Sequence, residues 1–170
     1  MCTGITYAWT ESPVGPVWVA AAGTGICAVR LGSGQPDDLF TWLSKRIASE
    51  PPREDPEALA LALTQLHEYF SHIRRAFDLL LDIHGTPFQK AVWTQVARIP
   101  YGTTQTYGEV ARRIGNPRAA RAVGSAMGAN PLPILIPCHR VIGARGSLTG
   151  YAAGLEVKAA LLQLEDALLL

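Results

Sequence analysis

The sequence predicts an α+β fold, in which a small N-terminal domain of sheet and helix packs on a mostly helical C-terminal domain containing a helix-turn-helix. Strand-like segments are concentrated in the first third of the 170 residues, and helical periodicity dominates the second half. The net charge also reverses near residue 84. Residues 1–83 carry six Lys and Arg against ten Asp and Glu, a net −4, whereas residues 84–170 carry nine against four, a net +5. We therefore predict one domain over 1–83 and a second over 84–170.

The N-terminal domain is predicted to contain four strands and two helices. Apolar and β-branched segments bounded by Gly and Pro indicate strands, and apolar residues spaced four, three and four apart indicate a helix that begins near Glu57. The predicted strands are Ile5–Trp9, Val17–Ala22, Ile26–Leu31 and 76–83. The predicted helices are Leu39–Ala48 and Glu57–Ser71, separated by the polar, Pro-rich stretch Ser49–Pro56.

The C-terminal domain is predicted to contain four helices. Thr106 and Glu109 fit a capping box, in which a hydroxyl and a carboxylate accept hydrogen bonds from backbone N–H groups at the start of a helix. Two short helices joined by Gly115-Asn116-Pro117 suggest the helix-turn-helix. The predicted helices are Thr86–Arg98, Tyr107–Ile114, Arg118–Gly128 and Ala153–Leu169, and loop or extended chain is predicted from Asn130 to Val141.

The second helix of this pair is rich in Ala, Gly and Ser. Each interior glycine disfavours a helix by roughly 1 kcal/mol relative to alanine. A slim surface of this kind suits either entry into a narrow groove or close packing in the protein's own core, and the pattern favours neither. The positive charge of this half makes it the better candidate for contact with a polyanion, although charge alone does not separate this from chance surface composition.

The composition indicates a globular protein without a membrane span. No apolar run reaches the roughly 18 residues that a transmembrane helix needs, and Met1–Thr10 lacks the basic and apolar regions of a secretory signal. The cysteines Cys2, Cys27 and Cys138 are odd in number, which argues against a disulfide framework and for a reducing compartment. We therefore expect a cytoplasmic protein with a free thiol.

The most specific segment places Cys138 at the end of the apolar run Ile134–Ile136. Pro137 restricts the backbone and lacks an N–H donor, so an extended strand is expected to stop at the cysteine. The neighbouring His139 and Arg140 predict a cationic setting, which favours the reactive thiolate form. A lone cysteine is more often a buried structural residue, but this context favours a nucleophile.

Five segments of the second half carry a family resemblance: FQKAVW at 88–93, IPYG at 99–102, TYGEVA at 106–111, GNPRAARAVGSAMGANPLPILIPCHRVIG at 115–143 and TGYAAGLEVKAALLQLE at 149–165. Through these segments, residues 84–170 resemble the O6-alkylguanine-DNA alkyltransferase family. The first half matches weakly, chiefly at Ser12-Pro13-Val14-Gly15. The resemblance implies that guanine alkylated at O6 is flipped out of DNA and loses its alkyl group to a protein cysteine. The transfer is a single irreversible step that requires no cofactor.

The resemblance implies a chemical role for four residues. Cys138 is the acceptor, His139 is the base that acts through a bound water, and Glu165 holds the imidazole tautomer. Asn130 ties the loop behind the helix-turn-helix to the active-site turn. Without the family match, Glu165 would be interpreted as a solvated helix residue and Asn130 as a turn residue before proline.

The resemblance also implies which residues contact DNA. Arg121 fills the gap left by the flipped base, and Tyr107 helps to rotate the nucleotide and hydrogen-bonds the base. The implied pocket residues are Pro133, Val141, Tyr151 and Ala152. Ala152 and Ala153 stand where some relatives have serine and glycine, and the added methyl group of Ala153 is expected to narrow the pocket. Taken singly, all of these residues also fit core, loop or surface roles.

We therefore expect a monomer that acts on double-stranded DNA containing O6-alkylguanine, with O4-alkylthymine as a further candidate substrate. Residues 84–170 would bind DNA and transfer the alkyl group, and residues 1–83 would support them. We predict no metal, because Cys2, Cys27 and the histidines do not reproduce the ligand set of zinc-binding relatives. Three alternatives are weaker: a lesion-binding protein without transfer, which would lack Cys138; a Cys-His hydrolase, for which an oxyanion-hole signature is missing; and a helix-turn-helix regulator.

Overall fold

A computed structural model describes residues 4–23, 25–32, 36–48 and 50–168. The chain divides into two compact units, Met1–His84 and Gly85–Leu170. Strands form the framework of the first unit and helices that of the second, which confirms the α+β class. Within these described ranges, no helix combines the length and the apolar character needed to cross a bilayer.

The N-terminal unit is built on a four-stranded sheet. Its strands are β1 (Thr6–Thr10), β2 (Val17–Ala22), β3 (Gly25–Leu31) and β4 (Arg53–Glu54), in the spatial order β3-β2-β1-β4. The first three strands pair antiparallel, whereas β4 pairs parallel with β1. The helices are α1 (Asp37–Arg46) and α2 (Ala60–Phe70). Leu39 and Leu43 of α1 share an apolar core with Ala20 and Ala28 of the sheet.

One prediction for this unit is wrong, and one strand was not predicted. The polar, Pro-rich stretch Ser49–Pro56 contains β4, because the backbone N–H of Arg53 donates to the chain entering β1. Residues 76–83 do not form a strand, and Leu81 makes only an isolated bridge to Ile26. The segment therefore touches the edge of β3 at one position and does not extend the sheet.

Over its described residues, 85–168, the C-terminal unit contains four α-helices and one small parallel sheet. The helices are α3 (Pro87–Val96), α4 (Tyr107–Arg113), α5 (Ala120–Gly128) and α6 (Leu155–Leu164). The sheet pairs β5 (Gln105–Thr106) with β6 (Val141–Ile142), and short 3-10 helices occupy Cys138–Arg140 and Ala144–Gly146. The indole N–H of the buried Trp93 donates to the carbonyl oxygen of Ala126 at 2.8 Å, which joins α3 to α5.

Local hydrogen bonds explain where two of these helices begin. The predicted capping box of α4 is confirmed: the Thr106 hydroxyl accepts from the Glu109 N–H at 3.1 Å, and the Glu109 carboxylate accepts from the Thr106 N–H at 2.6 Å. An equivalent box formed by Thr86 and Gln89 starts α3. Both capping boxes provide acceptors for backbone N–H groups that the first turn of a helix leaves without partners.

Two predicted helix boundaries and one predicted extended segment in this unit need correction. Helix α5 begins at Ala120, two residues after the predicted start. Helix α6 begins at Leu155 because Gly154 has a φ of 99°, which is not helical; the predicted C-terminal end, Leu169, lies outside the described residues. The run Ile134–Ile136 is not a strand, since Ile134 has a φ of 73°.

Candidate active site

Helices α4 and α5 form a helix-turn-helix around Gly115, whose φ of 78° suits glycine. One face of α5 is buried through Val123, Ala126 and Met127. The opposite face is exposed and, apart from Arg121, carries only small side chains: Ala122, Ser125 and Gly128. The helix therefore packs in the core on one side and presents a slim surface with one arginine on the other.

Cys138 begins a 3-10 turn and is 5% exposed. Its N–H donates to the carbonyl oxygen of Ile136 at 2.7 Å. The side chain of Asn130 braces the same turn, because its Nδ2 donates to Ile136 at 2.9 Å and its Oδ1 accepts from the N–H of Leu132 at 2.9 Å. The cysteine therefore lies in a 3-10 turn, and Asn130 joins the loop after α5 to this turn.

The electrostatic setting of Cys138 differs from the prediction. Burial raises the pKa of the thiol above its ordinary value, while hydrogen bonds from Asn130 and Tyr151 and the charge of Lys158 lower that pKa to a smaller extent. Arg140 points its guanidinium at Glu165 instead of the sulfur. The predicted cationic setting therefore does not come from Arg140, and the positive charge that acts on the sulfur belongs to Lys158.

His139 and Glu165 form a buried pair. The Nε2 atom of His139 lies 2.8 Å from Oε1 of Glu165, and both side chains are fully buried. Burial lowers the pKa of His139, the carboxylate of Glu165 raises it to a smaller extent, and the resting imidazole is neutral. The second ring nitrogen, Nδ1, is buried and has no hydrogen-bond partner among the described residues. A buried imidazole nitrogen of this kind fits a role as proton acceptor.

Glu165 is not a solvated helix glutamate, which was the alternative interpretation. It follows the last residue of α6 and accepts hydrogen bonds from Arg140 Nε at 2.8 Å and Arg140 Nη2 at 2.9 Å. A bidentate guanidinium–carboxylate pair is among the strongest charge-assisted contacts in proteins. The carboxylate is therefore held in one orientation while it contacts His139.

Lys158 is a functional candidate that the sequence analysis missed. The side chain is fully buried, and its Nζ donates to the carbonyl oxygens of Val141 at 2.6 Å and Thr149 at 3.0 Å. Burial lowers the pKa of Lys158, and Cys138 raises it. Its spacing was an available signal: Lys158 lies on the buried stripe of α6 with Leu161 and Leu162, and the buried Glu165 follows directly after the helix.

The predicted DNA-contact and pocket residues are only partly brought together. The Tyr107 hydroxyl donates to Thr149 at 2.9 Å and accepts from Lys158 at 3.5 Å, and Tyr151 helps to lower the pKa of Cys138. Val141 follows the cysteine turn directly, and the half-buried Pro133 bridges to Ile136. Arg121 and Ala152 are exposed, and no contact links either of them to Cys138 within the described part of the chain.

Within the described residues, no group of three His, Cys, Asp or Glu side chains could hold a metal ion. Cys27 is buried in the N-terminal unit, where burial raises the pKa of its thiol to about 12. Cys2 lies outside the described residues. That the protein functions without a bound metal stays a prediction.

Two family models match this chain. The model described as "6-O-methylguanine DNA methyltransferase, DNA binding domain" matches residues 87–167, and the one described as "6-O-methylguanine DNA methyltransferase, ribonuclease-like domain" matches residues 5–83. Together they span both structural units.

Individual relatives agree with these models. A methylated-DNA–protein-cysteine methyltransferase from Methanosarcina acetivorans is 46% identical over 164 residues, which cover 94% of this chain and 97% of the relative. An inducible protein of the same name from Bacillus subtilis is 41% identical over 148 residues, covering 87% and 83%. Among solved structures, Mycobacterium tuberculosis OGT in complex with DNA has a TM-score of 0.83 and 43% identity, covering 95% of this chain and 92% of that one.

Proposed function

This chain belongs to the 6-O-methylguanine DNA methyltransferase family, and we propose on that basis that it repairs DNA directly by moving an alkyl group from O6 of guanine to the sulfur of Cys138. The observation that carries the proposal is the cysteine turn followed at once by a buried His139–Glu165 pair. A cysteine nucleophile needs a base and a group that orients the base, and these residues supply both.

The chemical step begins with deprotonation of the thiol. A bound water takes the proton of Cys138 and passes a proton to Nδ1 of His139, while Nε2–H of His139 donates to Glu165. The sulfur then attacks the alkyl carbon, a carbon–sulfur bond forms, and the carbon–oxygen bond to guanine breaks. The bonding electrons pass to guanine O6, and the guanine anion takes up a proton. The resulting thioether does not leave, so each molecule reacts once.

Lys158 favours this step electrostatically. Its ammonium group is a positive charge in the same buried region as the sulfur, and it lowers the pKa of Cys138 against the effect of burial. In a site of low dielectric, such a charge stabilises a developing thiolate more strongly than it would in water. Among the described residues, the Nζ atom of Lys158 donates hydrogen bonds to two carbonyl oxygens and a phenol, and to no carboxylate.

DNA is the proposed macromolecular partner, bound through residues 84–170. The exposed slim face of α5 suits the minor groove, where small side chains allow close approach to the duplex. Arg121 on that face is proposed to occupy the space of the flipped base, and Tyr107, Pro133, Val141, Tyr151 and Ala152 are proposed to line the pocket. Residues 1–83 are proposed to support this domain, and the protein is proposed to act as a cytoplasmic monomer.

Two other functions receive less support. A lesion-binding protein would not need the acceptor sulfur, which is present at position 138. A Cys-His hydrolase would release a product and regenerate its thiol, and the family relatives are named as cysteine methyltransferases.

A mass measurement on duplex DNA containing O6-methylguanine distinguishes the three. We expect one methyl group on Cys138, restored guanine in the DNA, and loss of activity in proportion to repaired lesions. Repeated turnover with an unmodified cysteine would support hydrolysis, and tight binding with neither modification nor repair would support lesion recognition. A Cys138→Ser variant should bind the DNA without becoming methylated.

A further inference from the structure

The carboxylate of Glu165 receives hydrogen bonds from three directions. Its Oε1 accepts from His139 Nε2 at 2.8 Å and from Arg140 Nη2 at 2.9 Å; its Oε2 accepts from Arg140 Nε at 2.8 Å and from the backbone N–H of Gly102 at 3.4 Å. Four donors on two oxygens match the full accepting capacity of an ionised carboxylate. Glu165 is therefore held as an anion, and His139 must place its ring proton on Nε2.

Arg140 is itself fixed from two further sides. Its Nη1 donates to the carbonyl oxygen of Ile99 at 2.6 Å, and its guanidinium carbon lies 5.8 Å from the centre of the Tyr101 ring. Because the guanidinium fork contacts both carboxylate oxygens and a carbonyl oxygen at once, a lysine could not make the same set of contacts.

Tyr101 extends this arrangement to the end of α6. Its hydroxyl donates at 3.1 Å to the carbonyl oxygen of Leu164, the residue immediately before Glu165. Gly102, with a φ of 75°, brings the chain so close that a Cβ atom there would lie 3.1 Å from the carbonyl oxygen of Glu165. The turn Ile99–Gly102 thus contacts Arg140, Leu164 and Glu165 directly.

We propose that Arg140 and Tyr101 are positioning residues for alkyl transfer, which hold Glu165 so that His139 keeps its proton on Nε2 and offers Nδ1 to the thiol side of the site. This inference rests on the proposed function. Neither residue touches the reacting atoms; both act through Glu165 and His139. The turn that precedes β5 and α4 is thereby part of the catalytic arrangement and not only a link between helices.

The contact between Arg140 and the His139–Glu165 pair should affect the pH dependence of transfer. The charged groups that act on His139 are Glu165, which raises its pKa, and Arg140 and Lys158, which lower it, and Cys138 is the neighbouring thiol. Transfer requires neutral His139, so its protonation sets the acidic limb of the rate profile. Removing the charge of Arg140 should raise the pKa of His139 and move this limb to higher pH.

The test uses the full chain, duplex DNA containing O6-methylguanine, and single-turnover rates with protein in excess over a range of pH. Arg140→Gln removes the charge and should shift the acidic limb upward. Arg140→Lys keeps the positive charge but loses the forked guanidinium group. The acidic limb should therefore remain at the wild-type pH while the rate of transfer falls. Loss of a hydrogen bond to a charged group typically changes a rate by about tenfold to a hundredfold, and we expect a loss of that order for Arg140→Lys.

Tyr101→Phe provides a milder variant that keeps the ring beside Arg140. Loss of one hydrogen bond should slow transfer by about twofold to tenfold, with lesion-DNA affinity unchanged. The matched control is Thr103→Ala, which removes an exposed hydroxyl bonded to Pro100 in the same turn and should leave the rate unchanged.

The outcomes separate the two proposals. If the wild-type protein does not become methylated on Cys138, the proposed function fails. If the wild type is methylated but Arg140→Lys and Tyr101→Phe react at the wild-type rate and with the wild-type pH profile, the positioning role is overturned while the function stands. If Arg140→Gln does not fold, the other two variants still decide the matter.

Discussion

The ammonium group of Lys158 lies 2.6 Å from the carbonyl oxygen of Val141, in the same unit as Cys138 and with its own side chain fully buried. A buried ammonium is costly unless the protein compensates it with dipoles or a nearby anion. Here two backbone carbonyl groups supply the dipoles, and a thiolate at Cys138 would supply the anion. Lys158 and Cys138 therefore form an electrostatic pair that becomes favourable when the thiol ionises.

Replacement of this lysine should make the thiol less acidic. In Lys158→Met the charge that lowers the pKa of Cys138 is lost while burial continues to raise that pKa, so the sulfur should ionise only at higher pH. The pH dependence of Cys138 alkylation by a small electrophile measures this shift. Lys90→Met, which removes an exposed charge from α3, is the control and should match the wild type. If Cys138 alkylation in Lys158→Met has the same pH midpoint as in the wild type, the electrostatic pairing of Lys158 with Cys138 is contradicted.

Arg121→Ala tests the proposed role of the exposed face of α5. Unstacking a base costs a few kcal/mol, so loss of the side chain that replaces the base should slow repair of duplex DNA by about tenfold or more. Reaction with free O6-benzylguanine, if the free base is accepted, should change much less. Arg112→Ala removes an exposed charge from α4 and serves as the comparison. Equal losses with duplex and free base would reject the role.

The capping box at the start of α4 should be measurable as stability. Thr106→Ala removes the cap and should lower the free energy of unfolding by about 1 kcal/mol. Hydrogen bonds from Thr106 lower the pKa of Glu109 below its ordinary 4.5. The stabilisation is therefore present above that value and is lost as the pH falls through the native pKa. Urea unfolding at several pH values should show a weaker acid dependence in Glu109→Gln than in the wild type.

The buried imidazole of His139 should also affect stability in acid. Its native pKa lies below the ordinary 6.5, so the unfolded chain binds a proton at a higher pH than the native protein does. The free energy of unfolding should decrease as the pH falls below about 6.5. His139→Gln should reduce that slope, whereas His67→Gln at an exposed position should not. A wild-type slope in His139→Gln would show that the buried imidazole is not responsible.

Features encoded over a few neighbouring residues could be predicted from the sequence. The capping box needs only Thr106 and Glu109 at the right spacing, and the strands β1 to β3 are dense in apolar residues and bounded by turns. The short strand β4 could not be predicted, because its two residues are polar and their pairing depends on the distant β1. Pairing between remote segments is not visible in local composition.

The site was predictable in its residue types and not in its electrostatics. Cys138, Asn130 and the His139–Glu165 pair lie together, but proximity in sequence suggested that Arg140 would act on the sulfur. The 3-10 turn instead directs the guanidinium group of Arg140 to Glu165. The relevant cation, Lys158, follows the cysteine by twenty positions and reaches the site only through the packing of α6. Tertiary structure therefore decides which charge faces which group.

The burial of Cys138 also matters before any DNA is bound. Oxidation by peroxide and exchange with glutathione disulfide both proceed through an accessible thiolate. With 5% exposure and a pKa raised by burial, the thiol of Cys138 offers such oxidants little accessible thiolate. Because the proposed transfer consumes the sulfur, slow oxidation preserves this single reaction for alkylated DNA.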